Sequence, residues 1–388
     1  MRSRTPPVPR AWAEAKPASS AHARLLLRSA AWLEAQAPKV FLLPAVALVV
    51  ALSIVPLFVS LYLSLARLQF VPGGFVLQFV GVANYTKLLV GIERPHFLGV
   101  LQPPSVPGWI AGGLAGAVLL AFLARSASRV GAGAFVGRCA FSLVCGLCVW
   151  LGMHALSPGG QPGTLLTTLV YVFVGIPVQY GLGLLLAYLC AQDLRGRRFF
   201  RVVFLLPMMI TPVGIAYTFR ILMDLGKGPF APIWRALGLS EVSWANDPWG
   251  ARLAVMIGDV WQWTPFMFVV LLAAIESQPE DLLEAALVDG ASRWQAFWTI
   301  TWPQILPVSS TAVLIRLIEA FKIVDLPNVL TNGGPGTATE SLTLHAYMAW
   351  RTLDIGGSAA VAYMLLFVVT FVTVSYVQLV HRRIVEER

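Results

Sequence analysis

Long apolar runs separated by short polar segments dominate this chain. The runs are uncharged or carry few charges, and they cover residues 40–66, 95–124, 139–192, 202–219, 253–275, 304–327 and 356–380. Each approaches or exceeds the roughly 20 residues that a helix needs to cross a bilayer. The run at 139–192 is too long for one helix, and the Pro- and Gly-rich segment 157–163 divides it. The pattern therefore predicts an all-α polytopic integral membrane protein with about eight transmembrane helices.

The composition supports a membrane location. Hydrophobic residues make up 57% of the chain and charged residues 12%, whereas a soluble domain has roughly a quarter charged residues. The net charge of +9 follows from basic loops, so nucleic-acid binding is not needed to explain it. The cysteines lie in apolar runs, and the CxxC of Cys145 and Cys148 has no second cluster beside it. Packing is therefore expected of them, rather than a metal site or a disulfide framework.

Lysine and arginine predict the orientation of the chain, because these residues are enriched in cytoplasmic loops. If the N-terminus is inside, the inner segments hold 18 such residues and the outer loops 8. Both termini are therefore predicted to be cytoplasmic. The chain is predicted to begin with a basic cytoplasmic tail that contains an amphipathic helix (1–39), followed by a first transmembrane helix (40–66) and an extracytoplasmic segment (67–107). Two additional transmembrane helices (108–162), a core (163–381) and a cytoplasmic tail (382–388) complete the predicted plan.

A polar loop at 277–303 lies between two apolar runs and is predicted to form two short helices. Ser277 and Glu280 have the spacing of a capping box, so the first helix should begin there. It should end at Asp289-Gly290, where glycine permits a positive φ. Residues 276–303 carry five acidic side chains and a lone arginine. This surface predicts a basic protein partner, and an amphipathic loop resting on the membrane is the alternative.

The sequence EAALVDGASRWQAFWTITWP, residues 284–303, resembles the EAA loop in permease subunits of binding-protein-dependent ABC importers. That pattern is Glu-Ala-Ala, three residues, Gly, nine residues, Ile, one residue and Leu-Pro, and Trp302 stands here in place of the Leu. Four further segments resemble the carbohydrate-uptake branch of that family, and its larger maltose-type subunit above all. They are FVGVANYTKLL (79–89), QDLRGRRFFRVVFLLP (192–207), DVWQWTPFMFVVLLAAIESQP (259–279) and LTNGGPGTATESL (330–342).

The resemblance implies the transmembrane domain of a type I ABC importer with two additional spans within residues 94–162. It implies partners at a bacterial inner membrane: a second permease subunit, two ATPase subunits that bind ATP and Mg, and an extracytoplasmic binding protein. The chain has no phosphate-binding loop and no catalytic or metal-binding constellation in its sequence, so neither an enzyme nor a cofactor site is expected. The residues to which the resemblance assigns coupling to the ATPase are Glu284, Ala285, Ala286, Asp289, Gly290, Ile300 and Pro303.

Charged residues within one apolar run recur at intervals of three and would form a single stripe on a helix, with i,i+3 ion pairs along it. They are Arg316, Glu319, Lys322 and Asp325. Charges at bilayer depth are functional candidates, and pairing against a partner subunit is the alternative.

Other polar residues near the middle of spans suit a sugar or polyol, which needs aromatic faces and hydrogen-bonding groups. Contacts between helices are the alternative for each. Prolines in the same spans are expected to bend or interrupt helices around a cavity; they are Pro177, Pro207, Pro212 and Pro265. The residues predicted to line the solute path are Gln179, Tyr180, Thr211, Gln262 and Trp263, with Glu319 or Lys322 at its edge.

These features favour a permease subunit of an ATP-driven importer for a carbohydrate, that is a sugar, an oligosaccharide or a polyol. A self-sufficient secondary transporter or channel for a polar solute is the alternative. A membrane enzyme is disfavoured because no set of residues has the spacing of a catalytic site.

Overall fold

The computed structural model of the protein describes residues 39, 41–127, 132–192, 195–238 and 247–386. The amphipathic helix predicted within residues 1–39 lies outside this part of the chain, as do residues 387–388. The chain separates into two compact units, residues 1–60 and 61–388. Helices make up most of the described residues, in agreement with the predicted class.

The first unit contains most of helix α1 (Phe41–Ser64), which has a π-helical turn at Val50–Ile54. No charged residue occurs in α1, and its side chains up to Val59 are all exposed. Its 24 residues extend about 36 Å at 1.5 Å per residue, which is enough to cross a bilayer. Apolar exposure on every side is typical of a membrane-spanning helix.

The chain after α1 forms two small antiparallel sheets and two short helices, which interrupt the otherwise helical architecture. β1 pairs with β2 in a hairpin, and β3 pairs with the more distant β4. The elements are β1 (Ala66–Val71), β2 (Gly74–Phe79), α2 (Ala83–Leu89), α3 (Arg94–Phe97), β3 (Gly99–Val100) and β4 (Gln161–Pro162).

The region for which two additional spans are predicted forms α4 (Val106–Ala127) and α5 (Ala132–Ala155), both with stretches long and apolar enough to cross a membrane. Gly112 of α4 lies directly against the side chain of Met153 on α5, where a Cβ atom would not fit. α5 in turn reaches the rest of this unit through Phe141, whose ring stacks on Phe371 with centroids 5.8 Å apart.

The remaining helices form the core of the second unit. α6 and α10 pack against each other most extensively, and α13 and α16 complete the packing around them. A Cβ atom on Gly183 of α6 would lie 2.5 Å from the Cβ of Met267, so glycine lets α6 and α10 approach closely. The helices are α6 (Thr164–Ala191), α7 (Arg197–Met209), α8 (Pro212–Leu222), α9 (Ala231–Ala236), α10 (Pro248–Glu276), α11 (Glu280–Val288), α12 (Arg293–Ala296), α13 (Trp302–Ala320), α14 (Asp325–Thr331), α15 (Leu342–Arg351) and α16 (Ile355–Glu386).

The single span expected over residues 202–219 is interrupted. α7 and α8 meet at a break, and their axes differ by 98°. Pro212 is the first residue of α8, a position where proline is tolerated because its missing N–H has no partner in the helix. The other prolines singled out, Pro177, Pro207 and Pro265, lie inside helices that continue past them.

Among the described residues, six helices are long and apolar enough to cross a membrane, or seven if α7 and α8 together form one span. The sequence predicted about eight. The difference is the run at 304–327, which forms α13 and α14 with a break between them. α13 is not among the helices that are apolar enough to cross a membrane, since it carries Arg316 and Glu319. It nevertheless packs against α6, α10 and α16.

Candidate functional site

The loop between α10 and α13 begins differently from the prediction. Ser277 terminates α10 and donates from its hydroxyl to the carbonyl of Ala274 at 2.9 Å, so it does not cap the next helix. Pro279 precedes α11 instead. The predicted capping box at Ser277 and Glu280 is therefore wrong, because α10 extends as far as Glu276. A capping box does form later, between Ser292 and Gln295 at the start of α12.

The predicted end of the first loop helix is confirmed. α11 ends at Val288, Asp289 follows as its C-terminal cap, and Gly290 has a φ of +87°. Nothing lies within 4 Å of a Cβ atom built on Gly290. The glycine is therefore required by the backbone conformation and not by crowding.

The surface of α11 combines exposed apolar and acidic side chains. Leu282, Leu283 and Leu287 are exposed, as is the adjacent Val288 at 86%. Of the residues assigned to coupling, Glu284, Ala285, Asp289, Gly290 and Pro303 are exposed, whereas Ala286 and Ile300 are half-buried. Ile300 lies in a π-helical turn (Phe297–Thr301), and Pro303 lies in the first turn of α13. An apolar patch rimmed by charges is typical of a protein interaction surface.

Aromatic side chains attach this loop to the core. Trp298 contacts Trp302 with ring centroids 5.3 Å apart, and Phe297 packs edge-on against Tyr188 of α6 at the same distance. Tyr180, one of the predicted solute-path residues, packs edge-on against Trp302 at 6.2 Å. Tyr180 thus lies between the loop and the core.

A buried polar network joins three helices in the middle of the core. Gln179 of α6 donates to the carboxylate of Asp259 on α10 at 2.8 Å and accepts from Nε of Arg316 on α13 at 2.8 Å. Arg316 also forms an ion pair with Asp259. All three are nearly inaccessible, with Gln179 at 0%, Asp259 at 6% and Arg316 at 1% exposure. Buried charges are tolerated when they are paired and hydrogen-bonded in this way.

The indole of Trp263 borders this network. The guanidinium carbon of Arg316 lies 4.6 Å from the centroid of the Trp263 ring, a cation–π arrangement. Gln262, the next predicted solute-path residue, is buried on α10. The structure therefore brings Gln179 and Trp263 together through Asp259 and Arg316.

The remaining solute-path candidates lie apart from the network. Thr211 occupies the break between α7 and α8, where its hydroxyl accepts from the backbone N–H of Gly214 at 3.3 Å. Glu319 and Lys322 form an exposed ion pair of 2.6 Å at the end of α13. The predicted stripe of pairs is thus correct for Glu319 and Lys322, while Arg316 turns inward to another helix.

Asp259 was not among the predicted site residues, although a signal was present. It is the acidic residue of an otherwise apolar run at 253–275. A carboxylate at such depth needs a cation, and Arg316 occurs in the next apolar run. Pairing these two charges across runs would have identified the network.

A second polar cluster holds the loop at residues 332–341. Arg252 of α10 donates from Nε to the carbonyl of Ala338 at 2.7 Å, and Tyr171 of α6 donates to the carbonyl of Thr339 at 3.1 Å. The backbone N–H of Leu342 donates to the hydroxyl of Thr168 at 2.8 Å. Side chains from α6 and α10 therefore hold the conformation of this loop.

Two histidines extend this cluster to α3. His96 contacts the carboxylate of Glu340 at 2.6 Å and stacks on His345 with centroids 4.1 Å apart. His345 is buried and lies 3.2 Å from the hydroxyl of Thr164. Burial, together with the neighbouring His96, lowers the pKa of His345 to about 3. His345 is therefore neutral at ordinary pH.

These features define a polytopic membrane protein: a bundle of apolar helices, one span sharply interrupted at the break between α7 and α8, with an exposed loop between two others. Residues 146–386 match the model of a family described as the binding-protein-dependent transport system inner membrane component. The chain belongs to this family. Its members are transport permeases and not enzymes, and membership implies a substrate-binding protein and ATPase partners.

Relatives agree with this assignment. The chain is 36% identical to the trehalose/maltose transport system permease protein MalF of Thermococcus litoralis over 54% of its length and 72% of that protein. It is 31% identical to the sn-glycerol-3-phosphate transport system permease protein UgpA of Yersinia pseudotuberculosis, over 56% of this chain and 74% of UgpA. A bacterial alginate ABC transporter, solved with an alginate-bound periplasmic protein, shares the fold with a TM-score of 0.53 at 22% identity, covering 57% of this chain and 78% of that one.

Proposed function

We propose that this chain is a permease subunit of an ATP-driven importer that takes up a carbohydrate or polyol delivered by an extracytoplasmic binding protein. The observation that carries the proposal is the half-buried Trp263 indole, which lies beside the buried network of Gln179, Asp259 and Arg316. In a chain of this family, the network shows where polar side chains lie inside the otherwise apolar helix bundle. The named solutes of the relatives, trehalose, maltose and sn-glycerol 3-phosphate, are all polyhydroxylated.

Within this proposal, solute contacts Trp263 and Gln262, and the exposed Glu319–Lys322 pair lies at the edge of its path. An indole face suits the C–H surface of a sugar ring, and polar groups suit its hydroxyls. Both charged pairs, Arg316–Asp259 and Lys322–Glu319, are neutral overall. This balance favours an uncharged carbohydrate over an acidic one.

The decisive experiment is uptake into proteoliposomes by the chain assembled with its second permease subunit, ATPase subunits and binding protein. Uptake of the solute held by the cognate binding protein should require ATP and all partners. Uptake by this chain alone, without ATP, would instead support a secondary transporter or channel.

The loop at 277–303 is proposed as the coupling loop that docks on the ATPase. Its exposed acids and apolar side chains suit a groove with basic and apolar groups, and the aromatic contacts of Trp302 and Phe297 connect it to α6. Movement of the ATPase would therefore reach the helix that carries Gln179.

Gly290 offers a matched test of coupling. A β-branched residue at its φ of +87° should cost on the order of 1–2 kcal/mol, so Gly290→Val should weaken recovery of the ATPase with the permease. Asparagine tolerates a left-handed backbone, so Gly290→Asn should retain most binding. Equal recovery of the ATPase by both variants would argue against a coupling role.

We also propose that α13 is a further span, which brings the number of spans to eight, and that both termini are cytoplasmic, in the bacterial inner membrane. α13 has 19 residues, about 28 Å at 1.5 Å per residue, and it packs inside the core. Single cysteines at Asp281 and Arg351, which are both exposed and flank α13, should react with impermeant reagent from opposite sides, inside and outside respectively. Reaction from one side would contradict this topology.

A further inference from the structure

The hairpin of β1 and β2 has one wholly apolar face. The register pairs Ala66 with Phe79, Leu68 with Leu77 and Phe70 with Phe75. Because side chains alternate along a strand, these six residues share one face. The opposite face carries Arg67, Gln69 and Gln78 together with Val71 and Val76.

The apolar face is covered at Ala66 and largely exposed at its three phenylalanines. Ala66 is 1% exposed, whereas Phe70, Phe75 and Phe79 are 62–63% exposed. A two-stranded hairpin is marginally stable in water by itself, and an apolar face of this kind needs a second layer. Within the described part of the second unit, the outer half of this face has no such layer.

The base of the hairpin is held firmly to the end of α1. Asn84 of α2 donates to the carbonyls of Ser64 and Ala66, at 2.8 Å and 2.9 Å. The ring of Tyr62, in the last turn of α1, stacks on Phe79 at 6.5 Å. Tyr62 is itself 49% exposed. The apolar surface of the helix end therefore continues onto the apolar face of the hairpin.

The position of the hairpin, directly after α1, indicates which surroundings its apolar face meets. α1 is long and apolar enough to cross a bilayer and ends at Ser64, and β1 begins at Ala66. The hairpin thus begins at the depth where a transmembrane helix leaves the hydrocarbon. Aromatic side chains are enriched at that depth, and amphipathic elements lie there with their apolar face towards the acyl chains.

We infer that the β1–β2 hairpin is a membrane-interface anchor. Its apolar face lies on the leaflet in which α1 ends, with Phe70, Phe75 and Phe79 at the boundary between headgroups and acyl chains. Arg67, Gln69 and Gln78 face water and headgroup phosphates. Because α2 and the base of the hairpin are hydrogen-bonded together, the anchor sets the height of this segment above the membrane.

The test places an environment-sensitive fluorophore on either face of the hairpin. Phe75→Cys and Gln78→Cys are introduced into the full chain with its native cysteines replaced by alanine, and the labelled proteins are placed in lipid nanodiscs, alone and assembled with partners. Nitroxide on the lipid acyl chains should quench the Phe75 probe severalfold more than the Gln78 probe, and aqueous iodide should show the reverse order. Similar quenching of both probes by iodide would overturn the inference.

A result that depends on partner proteins would also contradict a lipid contact. If the Phe75 probe is shielded from iodide only after partner subunits or binding protein are added, the face is a protein interface and the inference fails. If the cysteine-free background does not fold, hydroxyl-radical footprinting of the unmodified chain in nanodiscs replaces the labels. Phe70 and Phe75 should then be oxidised severalfold more slowly than in a free peptide of residues 66–79, and equal rates would contradict a lipid contact.

Discussion

Two ion pairs, one between Arg316 and Asp259 and the other between Lys322 and Glu319, differ in almost every respect. Arg316 of α13 is 1% exposed and pairs with Asp259 on another helix. Glu319, about one turn further along, and Lys322, just beyond the end of α13, are exposed and pair with each other. In sequence the three residues belong to one stripe at intervals of three. They therefore differ in their surroundings and not in their sequence pattern.

Burial separates the charges that hold the fold from those that are available to a solute. Removing one partner of a buried pair leaves an uncompensated charge, whereas an exposed pair is solvated on both sides. Arg316 and Asp259 should therefore act on stability and on the position of Trp263. Glu319 and Lys322 should act on transport.

The largest effect is expected from Asp259→Ala, which leaves the Arg316 guanidinium buried without its carboxylate. Breaking a buried pair in this way costs about 3–5 kcal/mol. The yield of monodisperse protein and the free energy of unfolding should both fall sharply. The double variant Asp259→Leu/Arg316→Met should recover much of the loss. Wild-type stability of Asp259→Ala would show that the pair does not hold the three helices together.

The next effect tests a buried group that is neutral in the folded protein, His345. Its pKa is about 3 in the folded protein, against about 6.5 in the unfolded chain. The unfolded chain takes up a proton as the pH falls below about 6.5, while the folded protein remains neutral, so stability is lost as the pH falls. Between about pH 6.5 and 4.5 the loss should be about 2–3 kcal/mol.

His345→Gln is the control for this pH dependence. His96, Glu340, Lys87 and Asp354 remain in the variant, so their titration contributes to both proteins. Thermal unfolding measured across the same pH range should therefore give a shallower slope for His345→Gln. Parallel slopes would mean that other groups account for the loss.

Trp263→Ala should affect transport more than folding. Losing an aromatic face against a sugar, together with its contact to Arg316, costs about 1–3 kcal/mol, or roughly tenfold or more in affinity. Uptake and solute-stimulated ATP hydrolysis should fall while the complex still assembles. Trp263→Phe keeps a ring at this position and should retain part of the activity. Normal uptake by Trp263→Ala would place the solute path elsewhere.

The smallest effect on stability is expected at the exposed pair. Glu319→Gln and Lys322→Met should change the free energy of unfolding by at most about 1 kcal/mol, while uptake falls severalfold. A loss of stability as large as that of Asp259→Ala would remove the distinction between the two pairs. Unchanged uptake in both variants would remove the proposed contact with solute.

Local rules predicted the features that depend on neighbouring residues. The turn at Asp289-Gly290 followed from the need for a positive φ, and the break at Thr211-Pro212 coincides with a predicted proline interruption. The capping box at Ser277 failed because the preceding helix extended into it. Boundaries between consecutive helices depend on how far each is stabilised by packing, which a local motif does not record.

The network of Gln179, Asp259 and Arg316 was only partly foreseeable. Gln179 was singled out because it is polar near the middle of a span, and Arg316 because it belongs to a charged stripe. Their meeting at Asp259 depends on the rotation of α6, α10 and α13 about their axes. The spacing of residues along one helix predicts which of them are neighbours on that helix. It does not predict which residues of another helix they contact.

Composition, periodicity and short-range chemistry were enough to predict the membrane class, the apolar helices, the polar loop at 277–303 and the family resemblance. Tertiary structure alone decided which charges are buried, which aromatic ring lies against Arg316, and where the apolar face of the β1–β2 hairpin is left uncovered. These outcomes depend on helix packing, and packing is set by contacts between residues far apart in the chain, such as Gln179 and Arg316.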